Sequence, residues 1–245
     1  AYRRTAFAPP ATRGDFMRMH LRTLWEALGT GPWHWTDELT VPVTGVAIDS
    51  RRVLADDLFV AMRGDKTDGH KFVGEAFRRG ARAALVEQAT DDIQRQAREV
   101  GAQLIDVSRP LACDSPPNNQ VCFVVGNTLR ALQTLAAKWR DVHGGCRVVG
   151  VTGSVGKTTT KEYIRGILRK KYRVHTNSGN LNNHIGVPIT VLDTDQDTEY
   201  LVCEIGANHT GEIDFLSRLL RPDIGVITNI GEAHIGYFGG KDKIA

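Results

Sequence analysis

The stretch from Cys146 to Lys161, CRVVGVTGSVGKTTTK, constrains this chain more than any other. An apolar, β-branched run leads into a glycine-bearing loop, and the loop leads into KTTTKEYIRGILRKKY, a helix-forming run. That succession predicts a strand, a phosphate-gripping turn and a helix. In such a turn successive backbone N–H groups and the helix N-terminus point at one place, where fixed partial positive charge meets phosphate oxygens. Gly153 and Gly156 supply the sharp bend and the close backbone approach. Lys157 can set its ammonium against the terminal phosphates of ATP or a close relative, and the Thr158 hydroxyl can ligate Mg²⁺. The candidate nucleotide-binding residues are therefore Thr152, Gly153, Ser154, Val155, Gly156, Lys157, Thr158 and Thr159. The stretch departs from the usual G-x-x-x-x-G-K-[ST] in one respect: Val151 stands where the first glycine belongs, and Gly150 comes one residue too early. A glycine-rich turn with a solvated lysine has the same composition, but strand, loop, Lys-Thr pair and helix all stand in register for phosphate.

With 245 residues the chain has room for two ordinary domains and a real core. Hydrophobic residues at 41% and charged residues at 24% mark a globular chain rather than a disordered one. The formal charge is only +3, with basic and acidic residues interspersed, which argues against nucleic acid or a membrane surface as partner. Cys113, Cys122, Cys146 and Cys203 lie far apart with no CxxC pair, so neither a zinc knuckle nor a disulfide framework is indicated and a reducing cytosol fits. No apolar run approaches the roughly 20 residues that span a bilayer. The first residues lack the apolar centre of a signal peptide, so residues 1–15 read as a loose leader and the expected location is cytoplasmic.

Beyond the leader, MRMHLRTLWEALG places Met17, Leu21, Leu24, Trp25 and Leu28 at helical spacing with Gly29 as a stop. VPVTGVAIDSR and DDLFVAM read as strands, GHKFVGEAFRRGARAALVEQ as helix into strand, TDDIQRQAREVGA as a polar helix and QLIDV as a strand. SRPLACDSPPNN reads as an exposed loop or insertion. VCFVV is a further strand, NTLRALQTLAAKWRDVH a helix, and Gly144–Gly145 a natural hinge. From Cys146 onward strand and helix alternate through RVHTN, LVCEIG, IDFLSRLL and IGVITNIG, the rhythm of a parallel sheet with crossover helices. The expected class is α/β: a small substrate domain over residues 16–144, then a P-loop domain over 145–245 that is incomplete at its C-terminus.

TGSVGKTTT, followed by GNLNNHIGVP, EIGANHTGEI and TNIGEAH, resembles the Mur ligases in the order and spacing of all four motifs. GVAIDSR, DDLFVAMRG and DGHKF resemble the same family's N-terminal domain. The asparagine-rich segment is closest to the branch that adds D-alanyl-D-alanine to UDP-N-acetylmuramoyl-tripeptide rather than the branch that adds an amino acid. The resemblance implies ATP-driven amide formation in peptidoglycan precursor synthesis. The substrate carboxylate would take the γ-phosphate, and the amine of D-alanyl-D-alanine would displace phosphate from the acyl phosphate. Cofactors ATP and Mg²⁺ follow, and a monomeric protein is expected. A module that binds nucleotide or UDP-sugar without catalysis is the competing possibility.

The same resemblance assigns roles to residues. Glu204, at the end of the apolar strand YLVCE, would ligate Mg²⁺ with Thr158, and a strand's C-terminal end is where α/β proteins place ligands. His234 would help hold a second metal ion and is, with Lys157, a candidate catalytic residue, although a lone histidine is often a packing group. Asn180, Asn182, Asn183 and His184 are suited to hydrogen-bond the muramyl-peptide, and asparagine equally favours tight turns. Asn208 and His209 follow Glu204 closely, while Asn208 or Thr210 can instead cap a helix starting near Glu212. Ser50 and Arg51, with Asp68, Gly69 and His70, would hold the uridine nucleotide and peptide ends, and Arg51 or Arg63 can equally be surface ion-pair residues. The family's carbamylated lysine would fall beyond Ala245, with neither Lys241 nor Lys243 at its spacing. The chain alone is accordingly expected to lack ligase activity and to hold nucleotide weakly.

Overall fold

The computed structural model describes residues 19–30, 42–65, 67–110, 120–142, 144–207 and 209–231. The expected leader, most of the SRPLACDSPPNN segment, Cys113, Asn208 and His234 lie outside the described residues.

The first part runs β1 (Met19–His20), α1 (Leu21–Leu28), β2 (Pro42–Val43), β3 (Gly45–Ala47), β4 (Asp57–Val60), α2 (Val73–Arg78), β5 (Ala83–Val86), α3 (Asp91–Val100), β6 (Gln103–Asp106), β7 (Val121–Val124) and α4 (Thr128–Val142). Five of these strands form one parallel sheet in the order β3-β4-β5-β7-β6. β4, β5 and β7 are buried at every position, which is why DLFV, AALV and VCFV read as continuous runs rather than alternating ones. The first helix is shorter than its sequence pattern suggests. Met19 and His20 pair antiparallel with Val43 and Pro42, and the helix starts only at Leu21, burying Leu21, Leu24 and Trp25.

The second part runs β8 (Arg147–Thr152), α5 (Lys157–Leu168), β9 (Val174–Thr176), α6 (Gly186–Leu192), β10 (Tyr200–Glu204), α7 (Glu212–Leu220) and β11 (Ile224–Ile227). Its four strands are parallel in the order β11-β8-β10-β9. The sequence reading assigns no element to GVPITVL, yet it forms α6, with all seven residues buried. Asn183 starts it, its Oδ1 accepting from the N–H groups of Ile185 and Gly186 at 3.1 and 2.9 Å. A helix apolar on every side shows no 3.6-residue stripe and is stable only when covered all round.

That cover comes largely from α4. One core cluster joins Trp25, Leu58, Leu85 and Phe123 to Leu132, Leu135 and Trp139 of α4, and on to Val148, Leu192, Leu201 and Leu220. The helix thus packs on β4 and β5 of the first sheet and on α6 and α7 of the second part. Arg140 adds polar contacts at the junction, donating to the carbonyls of Cys146 and Leu220 at 3.0 and 3.1 Å. Opposite faces of the sheets carry separate clusters, one under α2 and α3 around Phe59, Phe77 and Ile93, the other of Val149, Val151 and Val202 under α5. Among the described residues no helix is long and apolar enough to cross a membrane.

Candidate active site

β8 delivers the chain to the glycine-rich loop, and α5 carries it away. Gly153 has φ 130° and Gly156 φ 85°, left-handed values that side chains disfavour. A Cβ on Gly153 would also lie 2.2 Å from the Thr228 hydroxyl and 2.9 Å from the Asn229 carbonyl. Gly150 is inside β8, paired with Cys203 and Gly225, and takes no part in the loop.

The segment after β11 holds the loop in shape. Asn229 accepts from the Ser154 N–H through its carbonyl at 3.0 Å and from the Val155 N–H through Oδ1 at 2.9 Å. Thr228 donates its hydroxyl to the Val155 carbonyl at 2.6 Å, and the Gly231 N–H donates to the Ser154 hydroxyl at 2.9 Å. Ser154 and Val155 therefore spend their N–H groups on the fold. What remains for an anion is the first turn of α5, whose cap position, Gly156, brings no side chain to it. Lys157 crosses the loop, its Nζ donating to the carbonyls of Gly153 and Ser154 at 2.6 and 3.4 Å. Among the described residues no carboxylate pairs with it. An ammonium parked on carbonyls beside open N–H donors suits a phosphate group. Thr152 ends β8, and Thr159 is exposed on the first turn of α5.

Glu204 ends β10 next to this loop and is 4% exposed. Its Oε2 accepts from the Thr158 hydroxyl at 2.7 Å and its Oε1 from the Asn182 amide at 2.9 Å. A carboxylate so deeply covered is not a solvated group at a strand end. Among the described residues no lysine or arginine nitrogen comes within 4.0 Å of it, so a buried carboxylate rests on two neutral donors without a counter-charge. Such a group is costly until a cation joins it. Hydroxyl and carboxylate oxygens side by side are the donor set of a hard divalent ion, so Thr158 and Glu204 fit Mg²⁺. Among the described residues no cluster of three or more histidine, cysteine, aspartate or glutamate side chains forms.

Other sequence candidates have different surroundings. Asn183 serves the turn into α6, and Asn180 is exposed. His209 donates its N–H to Glu212 at 3.1 Å and has Nδ1 3.4 Å from the same carboxylate, while His184 Nδ1 stands 3.9 Å from it. Glu212 thus gathers these two histidines. The helix that starts at Glu212 has Gly211 at its cap position rather than the expected Thr210, with no side-chain cap bond.

Ser50, Arg51, Asp68, Gly69 and His70 sit beyond the C-terminal ends of β3 and β4, on the first sheet and apart from the loop. The Ser50 hydroxyl donates to Glu75 at 3.1 Å. Arg51, with a side chain 79% exposed, forms a two-pronged pair with Asp49 at 2.9 and 2.7 Å, and its hydrogen bonds pull the Asp49 carboxyl down to about 2. Arg63 pairs with Glu87 at 3.0 Å. His70 bridges two segments: Nε2 accepts from the Glu87 N–H at 3.0 Å, so the proton sits on Nδ1, which donates to Asp68 at 2.6 Å. Burial raises the Asp68 carboxyl, but the bonds from His70 outweigh it and hold the group below its usual value. Gly69 donates its N–H to the Met62 carbonyl at 2.8 Å. Arg51 and Arg63 thus both form surface ion pairs. Sequence reasoning missed Thr228 and Asn229, although TNIGEAH was singled out for its histidine.

A phosphate-gripping loop between a parallel strand and an uncapped helix makes this an α/β protein of the P-loop class. Residues 42–140 match the Mur ligase family, catalytic domain, and residues 151–245 match the Mur ligase middle domain. The chain belongs to the Mur ligase family. The UDP-N-acetylmuramoyl-tripeptide--D-alanyl-D-alanine ligase of Bacillus subtilis (strain 168) is 42% identical over 203 residues, 83% of this chain and 39% of that protein. The ligase of the same name from Escherichia coli (strain K12) is 36% identical over 205 residues, 84% of this chain and 39% of that protein. A crystal structure of MurF from Acinetobacter baumannii superposes with a TM-score of 0.73 at 33% identity, covering 94% of this chain and 45% of that one. MurF ligase from Thermotoga maritima in complex with ADP gives 0.64 at 32% identity, covering 82% and 41%. The chain thus spans well under half the length of these relatives.

Proposed function

We propose that this chain supplies the nucleotide site, and a substrate-binding domain over residues 16–144, of a cytoplasmic ligase that adds D-alanyl-D-alanine to UDP-N-acetylmuramoyl-tripeptide at the expense of ATP. The observation that carries this reading is the buried Glu204 carboxylate bonded to Thr158 at 2.7 Å beside the uncapped start of α5. The names of the relatives support the substrates, and the ADP complex of the Thermotoga maritima MurF supports the nucleotide.

The chemistry brings two anions, a carboxylate and a triphosphate, into contact. The open N–H groups of α5 and the Lys157 ammonium hold the β- and γ-phosphates and offset charge as the γ-phosphoryl group moves. Thr158 and Glu204 would hold Mg²⁺, which when bound screens the two anions from each other and polarises the phosphoryl oxygens. Asn182 orients Glu204 by donating to Oε1, the oxygen that Thr158 does not use. The substrate carboxylate then attacks the γ-phosphorus to give an acyl phosphate and ADP, and the free amine of D-alanyl-D-alanine displaces phosphate to form the amide. His234 is a candidate for a second cation site. Ser50, Arg51, Asp68, Gly69 and His70 lie at the C-terminal edge of a parallel sheet, the edge where such folds bind ligands, and are candidates for the UDP-sugar. Asn180, Asn183, His184, Asn208 and His209 are candidates for the peptide end.

The test is phosphate release from ATP by the complete protein given UDP-N-acetylmuramoyl-tripeptide and D-alanyl-D-alanine together. Lys157→Ala should cut kcat/KM by at least about a hundredfold, the scale of losing one charge-stabilising donor, with an unchanged melting temperature. Turnover that survives the substitution, or that ignores D-alanyl-D-alanine, refutes the reading.

A further inference from the structure

The end of β10 is held by groups that the reaction outlined above does not use. β9 pairs with β10 only as far as Thr176, opposite Val202. One residue on, the side chain of Asn177 takes over from the strand. Its Oδ1 accepts from the Glu204 N–H at 2.9 Å, and its Nδ2 donates to the Glu204 carbonyl at 3.0 Å and the Leu181 carbonyl at 2.9 Å. The carboxamide is 1% exposed and grips both backbone groups of Glu204. The carbonyl of Asn177 accepts in turn from the Lys161 ammonium at 2.7 Å. Lys161, three positions after Thr158 on α5, is 2% exposed, and its further partner is the Glu162 carboxylate at 3.3 Å. Thr158 closes the circuit through its bond to Glu204.

A methionine would fill the space of Lys161 without the cost of desolvating an ammonium. What the lysine adds is a directed, charge-assisted bond that ties α5 to the turn gripping Glu204. Loss of that bond leaves the helix and the strand end free to shift relative to each other, and with them the two oxygens that Thr158 and Glu204 present.

We propose that Lys161 and Asn177 are positioning residues that fix the Glu204 carboxylate against the Thr158 hydroxyl, so that a divalent cation meets two oxygen ligands already aligned. This rests on the reading of Thr158 and Glu204 as cation ligands. Removing an outer partner of a metal ligand typically lowers metal affinity tenfold to a hundredfold.

The test uses the complete protein and calorimetric titration of ADP, once with Mn²⁺ and once with a chelator. The readout is the gain in ADP affinity that Mn²⁺ confers. Lys161→Met should reduce that gain about tenfold while leaving metal-free ADP affinity within about twofold, and Lys161→Arg, which keeps a charged donor, should recover most of it. Glu204→Gln should abolish the gain altogether. A gain lost in Glu204→Gln but intact in Lys161→Met overturns the positioning role and leaves the ligand reading standing. A gain intact in Glu204→Gln overturns both. Equal losses with and without metal also overturn the proposal, because they mark a general loosening. If Lys161→Met does not fold, Lys161→Gln takes its place with the same expectation and the same overturning result.

Discussion

Several side chains here have their protonation set by burial rather than by partners. Burial pushes the thiols of Cys122 and Cys203 up to about 12, which leaves them inert packing groups. His175 on β9 is the titrating group with a consequence for stability: burial first, and then the Arg165 charge, hold it below the ordinary imidazole value. Near neutrality and above, the ring is uncharged folded or unfolded and contributes nothing. Below about pH 6.5 the unfolded chain takes up the proton more readily, so stability falls as pH falls towards the depressed folded value. His175→Gln should therefore flatten the acid limb, and urea melts at pH 7 and pH 5.5 should differ less in the variant than in the parent; an unchanged difference rules the histidine out. At this scale the sequence was legible where a residue type has one physical use. Glycines 153 and 156 and the Lys157-Thr158 pair needed only their spacing to be recognised. Arg51 was not so legible, because an arginine after a strand serves a phosphate or a neighbouring carboxylate equally well, and its pairing with Asp49 is visible only in three dimensions.

Among the elements, α6 shows what periodicity misses. Its β-branched residues suit a strand, its Pro188 sits in the first helical turn where no intrahelical donor is needed, and it has no polar face to reveal a helical repeat. Its start is set by contact: a Cβ on Gly186 would fall 2.4 Å from the Leu181 Cα and 2.5 Å from its carbonyl carbon, both backbone atoms that cannot swing aside. Gly186→Ala should cost at least about 2 kcal/mol, in the range of overpacked cores, measured by chemical denaturation. A loss below about 0.5 kcal/mol would mean that the Leu181 turn is free to move. The strands β4, β5 and β7 were legible for the opposite reason, since burial on both faces of a parallel sheet demands unbroken apolar runs.

For the molecule as a whole, the two sheets share one core through α4, whose Leu132, Leu135 and Trp139 join side chains from both. Leu135→Ala removes a fully buried side chain and should cost about 2–5 kcal/mol. Hydrogen exchange should then speed up in β5 and in β8 together. Acceleration confined to one sheet would show two independent folding units instead. The sequence by itself determined what depends on neighbours along the chain: the alternation of strand and helix, the phosphate loop, and the family to which the motifs point. The tertiary structure alone decided what depends on distant partners meeting. It buried Glu204 beside Thr158, brought Asn229 back to pin the loop, set Asn177 and Lys161 behind the strand end, and drew α4 into a core shared by both parts. Local spacing is written in the order of residues, whereas burial and hydrogen-bond partnership across many residues arise only when the chain closes on itself.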